Sequence, residues 1–403
     1  MKVVFHRYGS IVEPDILAAF KKFNIDVFED DLEITKKNID SDTRIRTLSE
    51  AILTNQPDFV FSINFFPYIA QICEKLKIYY ICLSVDCPVL EIYSKAIKSQ
   101  YNRVFLFDYE QYLSVVDENP EGIFYLPLAT NVERWDSVLG EFNPDTVKYD
   151  YDVSFVGSLY EEKSVYRSMK KSMDDFGVGY FDGLINSQAR MPGLSLLTEV
   201  FKNPDSNLKK IMRQVNRQNK EYFDRFSLDD ALIDVEPFVY VENILGFELS
   251  AKDRELLLNT MAINNIDTHI FTRSDSSMLD ERLKVHPGIS THEEMPKVFR
   301  TSKINLNPTM RCIKTGLPQR IWDIMGCGGF VMTNIQNELP EYFEIGEDIV
   351  CYETLADAVE VAQYYLNHED ERMAIAVNGY NKVKKLHTYE IRVAQMLDVV
   401  FGE

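Results

Sequence analysis

The chain has 403 residues, of which 45% are hydrophobic and 26% are charged, and its formal net charge is -20 at pH 7. These values predict a globular protein of two or three domains with a large core. The negative charge argues against nucleic acid or an anionic membrane as a general partner, because both repel an acidic surface.

The amino-acid sequence shows no pattern typical of export, membrane insertion or metal binding. The segment Met1–Arg7 turns polar too early for a signal peptide, and the most apolar window, Phe59–Cys73, is shorter than a membrane span. The 6 cysteines form no C-x-x-C pair and lie mostly in apolar stretches, which is typical of buried thiols in a reducing cytosol. We therefore expect a cytoplasmic protein without a membrane segment or a zinc site.

Strands and helices alternate through the first part of the chain. The first predicted strand, Lys2–Phe5, is followed by a loop and by a helix that starts at Pro14. Only Gly9 follows that strand, so the G-x-G-x-x-G motif of dinucleotide-binding dehydrogenases is missing. The alternation predicts a doubly wound parallel sheet, a Rossmann-like domain over residues 1–140. Its further strands are predicted at 25–28, 58–63, 79–85, 103–108 and 122–127.

A polar linker around Pro144 separates this domain from a second one. The strand that begins at Tyr151 opens the second domain, which we predict to be Rossmann-like over residues 151–385. Residues of about 161–262 are helical in composition and predict a helical insertion. Residues 386–403 predict a final helix that crosses back to the first domain.

The stretch Ser302–Thr333 has the pattern of a βαβ unit. A short apolar strand leads through a polar loop into a helix at 319–325, and a glycine-rich turn leads into the next strand. The loop carries Arg311 and Lys314, and Arg320 lies at the helix start. Ligands bind at the carboxyl ends of such strands, and a helix N-terminus favours anions, so the pattern predicts an anion site. An ordinary βαβ unit with surface cations is the alternative.

This stretch resembles the C-terminal domain of GT-B glycosyltransferases, in particular the CgeB-like (spore maturation protein) family. The resemblance is carried by I-N-L-N, by G-L-P-Q-R-I-W-D-I-M-G-C-G-G-F and by T-N-I-Q-N-E-L-P-E-Y-F-E-I-G-E-D-I-V-C-Y. In the first domain it is carried by Y-G-S-I-V-E-P-D-I and V-D-C-P. It implies two Rossmann-like domains facing a cleft and transfer of a hexose from a nucleotide sugar, with UDP as the nucleotide by family habit. It further implies a protein or surface-glycan acceptor and no catalytic metal.

Glycosyl transfer requires stabilisation of the leaving diphosphate, and the cations near the helix start suit that task. By resemblance, Asp323 binds the ribose and Lys163 contacts the diphosphate, whereas Ser158 stands where related enzymes have an arginine. An acid on the helix surface and a solvated helix lysine are the alternatives for Asp323 and Lys163. Retaining GT-B families carry a spaced glutamate pair, and here Thr315 and Asp323 stand at that spacing, so the retaining mechanism is in doubt. The predicted donor-binding residues are Gly157, Lys163, Thr272, Asn307, Lys314, Thr315, Gly316, Arg320 and Asp323.

The first domain is expected to bind the acceptor, with Ser10 and Glu13 in its acceptor-side loop. Asp86 is the first candidate for the base that takes the acceptor proton and His6 the second, because both end predicted strands at the cleft. The segment Asp86-Cys87-Pro88 is equally compatible with a simple turn. Two other functions stay open: a sugar-nucleotide epimerase on the same fold, and a non-catalytic nucleotide-sugar-binding partner protein.

Overall fold

The computed structural model describes residues 1–36, 38–191, 195–226, 228 and 230–402. Residues 192–194, 227 and 229 of the predicted insertion, and residue 403 of the predicted final helix, lie outside this range. The described residues form two domains, each built on a parallel sheet of six strands. The predicted α/β fold class is therefore confirmed.

The N-terminal sheet is built from β1 Lys2–His6, β2 Asp26–Asp30, β3 Phe59–Ile63, β4 Tyr79–Leu83, β5 Asn102–Leu106 and β6 Ile123–Tyr125. Its strand order is β2-β1-β3-β4-β5-β6, with every recorded pairing parallel. The inner strands are buried on both faces: alternate residues of β1, such as Phe5 and Val4, belong to separate apolar clusters on opposite sides of the sheet. The covering helices are α1 Glu13–Lys22, α2 Leu32–Thr35, α3 Ser41–Asn55, α4 Pro67–Leu76, α5 Tyr109–Leu113 and α6 Val132–Leu139.

The C-terminal sheet is built from β7 Tyr151–Val156, β8 Thr268–Thr272, β9 Lys284–Pro287, β10 Ser302–Asn307, β11 Val331–Asn334 and β12 Val350–Tyr352. Its order is β12-β11-β10-β7-β8-β9. The insertion between β7 and β8 contains α7 Tyr166–Met169, α8 Asp175–Ala189, α9 Leu196–Lys202, α10 Ser206–Gln218, α11 Lys220–Asp224, α12 Val235–Phe238, a π-helix Val239–Leu245 and α13 Gly246–Ile263. The remaining helices are α14 Met295–Thr301, α15 Gln319–Gly326, α16 Leu339–Tyr342, α17 Leu355–Asn367, α18 Glu369–Leu386 and α19 Tyr389–Phe401. Short 3-10 helices lie at Leu90–Tyr93, Lys95–Lys98, Val116–Glu118, Pro144–Thr146, Glu161–Lys163 and Lys170–Ser172.

The two domains share one apolar cluster at their interface. Phe107 and Trp135 of the N-terminal domain belong to the same buried cluster as Val156 and Trp322 of the C-terminal domain. Helix α19 packs on the N-terminal domain, where Tyr389 enters the core formed by β1 and α1. The chain therefore crosses the interface twice, once between β6 and β7 and once before α19.

The insertion also reaches the N-terminal domain. Ser94 Oγ lies 3.0 Å from an Asp230 carboxylate oxygen, and the backbone N–H of Leu232 donates to the Tyr93 carbonyl at 2.7 Å. The insertion thus contacts the first domain at a second place, away from α19. Among the described residues, no helix is long and apolar enough to span a membrane.

Candidate active site

The carboxyl ends of the two sheets face each other. Asp108 follows β5, and its carboxylate contacts the loop 314–316, which follows β10. Parallel α/β sheets bind ligands at these strand ends. The groups available to a ligand are therefore those in the loops that follow the strands of both domains.

The turn that follows β7 has an unusual backbone. Gly157 has φ +153° and Tyr160 has φ +65°, conformations that residues with a side chain rarely adopt. A non-glycine residue in such a conformation often marks a functional site. This turn is the part of the C-terminal domain to which two arginines converge.

Arg320 lies at the second position of α15, and its guanidinium donates to the carbonyl of Val156 at the end of β7. Its Cζ lies 3.7 Å from the point where a Cβ on Gly157 would stand. The glycine therefore leaves the guanidinium close to the backbone of the turn. Burial lowers the pKa of Arg320, and the charge of Arg254 lowers it further.

Arg254 reaches the same turn from α13. Its guanidinium donates to the carbonyl of Ser158 and, at 3.2 Å, to that of Pro308, and its Cζ lies 3.9 Å above the ring of Tyr160. Burial lowers its pKa. The sequence analysis missed this residue, because its carbonyl partners lie 96 and 54 positions away in the chain.

Arg254 and Arg320 form no ion pair within the part of the chain that the structure describes. Other cations near the cleft are neutralised: Arg311 contacts Asp253 at 2.6 Å, and Lys314 contacts a Glu242 oxygen at 3.2 Å. Two adjacent half-buried guanidinium groups that form no ion pair repel each other. Their arrangement suits an anion with two charged groups, such as a diphosphate.

The absence of an arginine at position 158 is compensated in space. The guanidinium of Arg254 contacts the Ser158 carbonyl, so a cation is present at this turn although it comes from another helix. Lys163 is exposed, and its Nζ lies 4.9 Å from the centroid of the Tyr160 ring. Lys163 is therefore beside the turn, on the ring that Arg254 also contacts.

Two further predicted donor-binding residues, Thr272 and Asn307, are buried and hydrogen-bonded to neighbouring residues of the C-terminal domain. Thr272 is 6% exposed, and its Oγ1 accepts from the backbone N–H of Ser274 at 3.1 Å. Asn307 is 4% exposed, and its Nδ2 donates to the hydroxyls of Thr309 and Thr333 at 3.1 and 3.0 Å. Both residues lie at strand ends in this domain and shape the loops there.

The predicted anion site at Lys314, Thr315 and Gly316 is occupied by the protein itself. Their backbone N–H groups donate to one carboxylate oxygen of Asp108 at 2.7, 2.9 and 3.0 Å. Asp108 is fully buried, and its other oxygen accepts from Gln111 at the start of α5. The amides of this loop therefore bind a carboxylate of the opposite domain, and the assignment of the three residues to the diphosphate stays a prediction.

Asp323 also makes interdomain contacts in place of the expected ribose contacts. It is 5% exposed, and its Oδ1 accepts from Thr130 Oγ1 and Gln319 Nε2, both at 2.9 Å. Burial raises its pKa, and the charge of Arg134 opposes this rise. Asp323 thus fixes α15 against the segment after β6.

On the N-terminal side, His6 is buried and both of its ring nitrogens have partners. Nδ1 lies 2.8 Å from an Asp30 oxygen, and Nε2 lies 3.1 Å from the Tyr68 hydroxyl. The ring is 1% exposed. Both ring nitrogens of His6 are therefore held by residues of the N-terminal domain, and its assignment as the second candidate base stays a prediction.

Glu13 fixes the loop after β1. Its Oε1 accepts from the backbone N–H groups of Tyr8, Gly9 and Ser10, each at 2.9 Å, and its Oε2 accepts from Arg7 Nε at 3.0 Å. Glu13 is fully buried. Glu13 thus fixes the shape of the predicted acceptor-side loop through its backbone N–H groups, and the contact of this loop with an acceptor stays a prediction.

Asp86 is exposed after β4, next to Cys87, whose Sγ lies 3.5 Å from the Cys312 carbonyl in the opposite domain. It therefore stands at the cleft. Asn64, at the end of β3, donates from Nδ2 to Asp86 Oδ2 at 2.6 Å and to the Tyr8 hydroxyl at 2.8 Å. Sequence analysis did not single out Asn64 or Tyr8, and only their positions just after strands could have indicated them.

Metal-binding clusters are missing from this site. The described residues contain no group of three or more His, Cys, Asp or Glu side chains placed to hold a metal ion. At the turn after β7 the guanidinium group of Arg254 lies near the carboxylate of Glu162, whose Oε1 accepts from Ser158 Oγ at 2.6 Å.

Comparison with known proteins agrees with this architecture. Residues 254–398, which run from Arg254 through most of α19, match a family model described as glycosyl transferase-like. The whole chain superposes on solved GT-B glycosyltransferases with nearly complete coverage on both sides. The fold is that of the GT-B glycosyltransferases.

Three solved structures illustrate this GT-B likeness. A glycosyltransferase from Rickettsia africae has a TM-score of 0.50 at 9% identity, covering 100% of this chain and 99% of that one. Sucrose-phosphate synthase from Thermosynechococcus elongatus has 0.51 at 10% identity, covering 100% and 99%. A UDP-forming α,α-trehalose-phosphate synthase from Burkholderia xenovorans has 0.51 at 10% identity, covering 99% and 98%. No curated protein matches the chain.

Proposed function

We propose that this protein is a glycosyltransferase that moves a sugar from a UDP-sugar to a hydroxyl group of an acceptor. The observation that carries the proposal is the pair of arginines, Arg254 and Arg320, that converge on the turn after β7 and form no ion pair with any described residue. The glycosyl transferase-like match over residues 254–398 supports it. UDP is chosen because a fold neighbour is described as UDP-forming and because the CgeB-like resemblance implies it.

The two guanidinium groups bind the diphosphate and stabilise the charge that develops on it. As the bond between the sugar C1 and the phosphate oxygen breaks, its electron pair moves to UDP, where fixed cations in a partly buried site are most effective. Each charge-assisted hydrogen bond contributes about 1.5–3 kcal/mol. Gly157 lets the diphosphate approach the backbone of the turn.

Asp86 acts as the base for the acceptor. The acceptor oxygen bonds to C1 while its proton passes to the free Asp86 oxygen and later to solvent. This is a single displacement, so the product has the inverted anomeric configuration. The first glutamate of retaining families is replaced by Thr315, whose backbone N–H is used by Asp108. We take a protein or surface glycan as the acceptor from the CgeB-like resemblance.

The experiment measures the rate of UDP release from a panel of UDP-sugars, with and without candidate acceptors. Asp86→Asn is expected to lower kcat about 100- to 10,000-fold, the usual contribution of a general base. Asp117→Asn, an exposed aspartate of the same domain, is the control and should leave kcat unchanged. An epimerised nucleotide sugar formed without UDP release would instead indicate an epimerase and contradict the proposal.

We also propose that the transfer requires no metal, because two arginines supply the cationic charge at the diphosphate. Activity after exhaustive treatment with EDTA should equal that of the untreated protein. Loss of activity with EDTA and recovery with Mn²⁺ would show that a metal carries this charge.

A further inference from the structure

Asn64 is held rigidly in a strained conformation at the cleft. It follows β3 with φ +58°, a region that asparagine visits more readily than most residues. Its backbone N–H donates to the Leu83 carbonyl at 2.9 Å, and its own carbonyl accepts from Ser62 Oγ at 2.6 Å. Strain that the surrounding structure maintains at a ligand-binding edge calls for a functional explanation.

The orientation of the Asn64 amide is fixed by the backbone. Oδ1 accepts from the N–H groups of Val85 and Asp86 at 2.9 and 3.3 Å, which only an oxygen can do. Nδ2 must therefore face Asp86 Oδ2 and the Tyr8 hydroxyl, at 2.6 and 2.8 Å. Both hydrogens of the amide are used, one for each cleft side chain.

The two side chains that Asn64 holds have complementary chemistry. Asp86 Oδ1 makes no hydrogen bond within the described part of the chain and can accept a proton. Burial raises the pKa of Tyr8, and the charge of Asp86 raises it further, so the phenol stays protonated and can donate. A hydroxyl between them would donate to one and accept from the other.

We propose that Asn64 is a positioning residue, which holds the Asp86 carboxylate and the Tyr8 hydroxyl on either side of the acceptor hydroxyl. The inference rests on the proposed function, in which Asp86 takes the acceptor proton. The acceptor oxygen then receives a hydrogen bond from Tyr8 while its proton moves to Asp86 Oδ1. Asn64 itself exchanges no proton.

The test measures hydrolysis of the preferred UDP-sugar, in which water replaces the acceptor. Asn64→Gly removes the amide, and glycine adopts the same backbone conformation without strain. We expect kcat to fall at least 10-fold while the KM for the donor is unchanged, because the donor binds to the other domain. Asn24→Gly is the matched control: Asn24 has φ +53° in the same domain but is exposed at the end of α1, and both constants should be unchanged.

Asn64→Asp provides a second variant that tolerates the same backbone but cannot donate to Asp86. The kcat of this variant should fall as it does in Asn64→Gly. The thermal midpoint of unfolding is measured for both variants to show that they are folded. Wild-type kcat in either folded variant, while Asp86→Asn is impaired, would overturn the inference and leave the proposed function standing. If the wild-type protein neither hydrolyses nor transfers any UDP-sugar, the proposed function itself fails.

Discussion

At the scale of single residues, ion pairing separates the side chains that can bind a ligand from those that hold the fold. Arg311 and Lys314 were attractive anion ligands in the sequence, yet each contacts a carboxylate of its own domain. Arg320 was also predicted, and it remains without an ion-pair partner in the described part of the chain, together with Arg254. The proposed diphosphate ligands are therefore the two arginines that contact backbone carbonyls and form no ion pair among the described residues.

The buried carboxyl group of Asp15 should make the free energy of unfolding depend on pH. It is 2% exposed in α1 and contacts Asn131 Nδ2 at 2.9 Å and an Arg134 nitrogen at 3.0 Å. Burial raises its pKa to about 7, with Asp323 and Glu390 adding and Arg134 opposing. A raised native pKa gives stability that is complete below the unfolded pKa of 3.8 and is lost as the pH rises through about 7.

We therefore expect the free energy of unfolding to fall between pH 4 and 8 by about 2–4 kcal/mol more in the wild-type protein than in Asp15→Asn. Urea unfolding of both proteins across this range measures the difference. Equal pH slopes for the two proteins would show that Asp15 is ionised in the folded state at all these values.

Residue roles were predictable only where they depend on local sequence. Gly157 was proposed because a glycine follows a strand and Asp86 because an aspartate ends one, and both roles stay predictions. The burial of His6 between Asp30 and Tyr68 could not be foreseen, since those partners come from other elements. The hydrogen bonds of Asn64 to Asp86 and Tyr8 could not be predicted either, because these partners also come from other elements.

At the scale of elements, the loop between β10 and α15 binds the opposite domain through hydrogen bonds. Its amides bind Asp108, which also accepts from Gln111 as the N-cap of α5. One buried carboxylate thus joins the N-terminus of α5 to the loop before α15 in the opposite domain. The βαβ pattern of this region was predicted correctly, but the anion at its amides comes from a residue 206 positions earlier in the chain.

Asp108→Asn should therefore destabilise the protein. The side chain of asparagine has only one oxygen, so it cannot accept both from the loop 314–316 and from Gln111. Each buried donor left unpaired costs about 1–3 kcal/mol, so we expect the free energy of unfolding to fall by at least about 2 kcal/mol. Asp40→Asn is the control, because Asp40 caps α3 at an exposed position and asparagine caps equally well. Similar stability of both variants would argue against a buried interdomain clamp at Asp108.

At the scale of the whole molecule, the fold follows from the alternation of apolar strands and amphipathic helices. This pattern was strong enough to predict parallel sheets covered by helices, whereas the GT-B architecture was implied by the family resemblance of the motifs in residues 302–352. It could not predict which strand ends meet across the cleft, because that depends on how the domains pack through Phe107, Trp135 and Trp322. Local sequence patterns likewise could not predict that the insertion contacts residues 93–95 of the N-terminal domain.

The most direct measurement is the affinity for UDP by isothermal titration calorimetry. Arg254→Gln and Arg320→Gln should each weaken binding about 10- to 100-fold, the equivalent of one lost charge-assisted contact of about 1.5–3 kcal/mol. Arg282→Gln is the control, since Arg282 is exposed and paired with Asp280 at 2.7 Å, and its affinity should equal that of the wild type. Wild-type affinity in both folded variants at positions 254 and 320, or no UDP binding by the wild-type protein, would contradict a diphosphate site at the turn after β7.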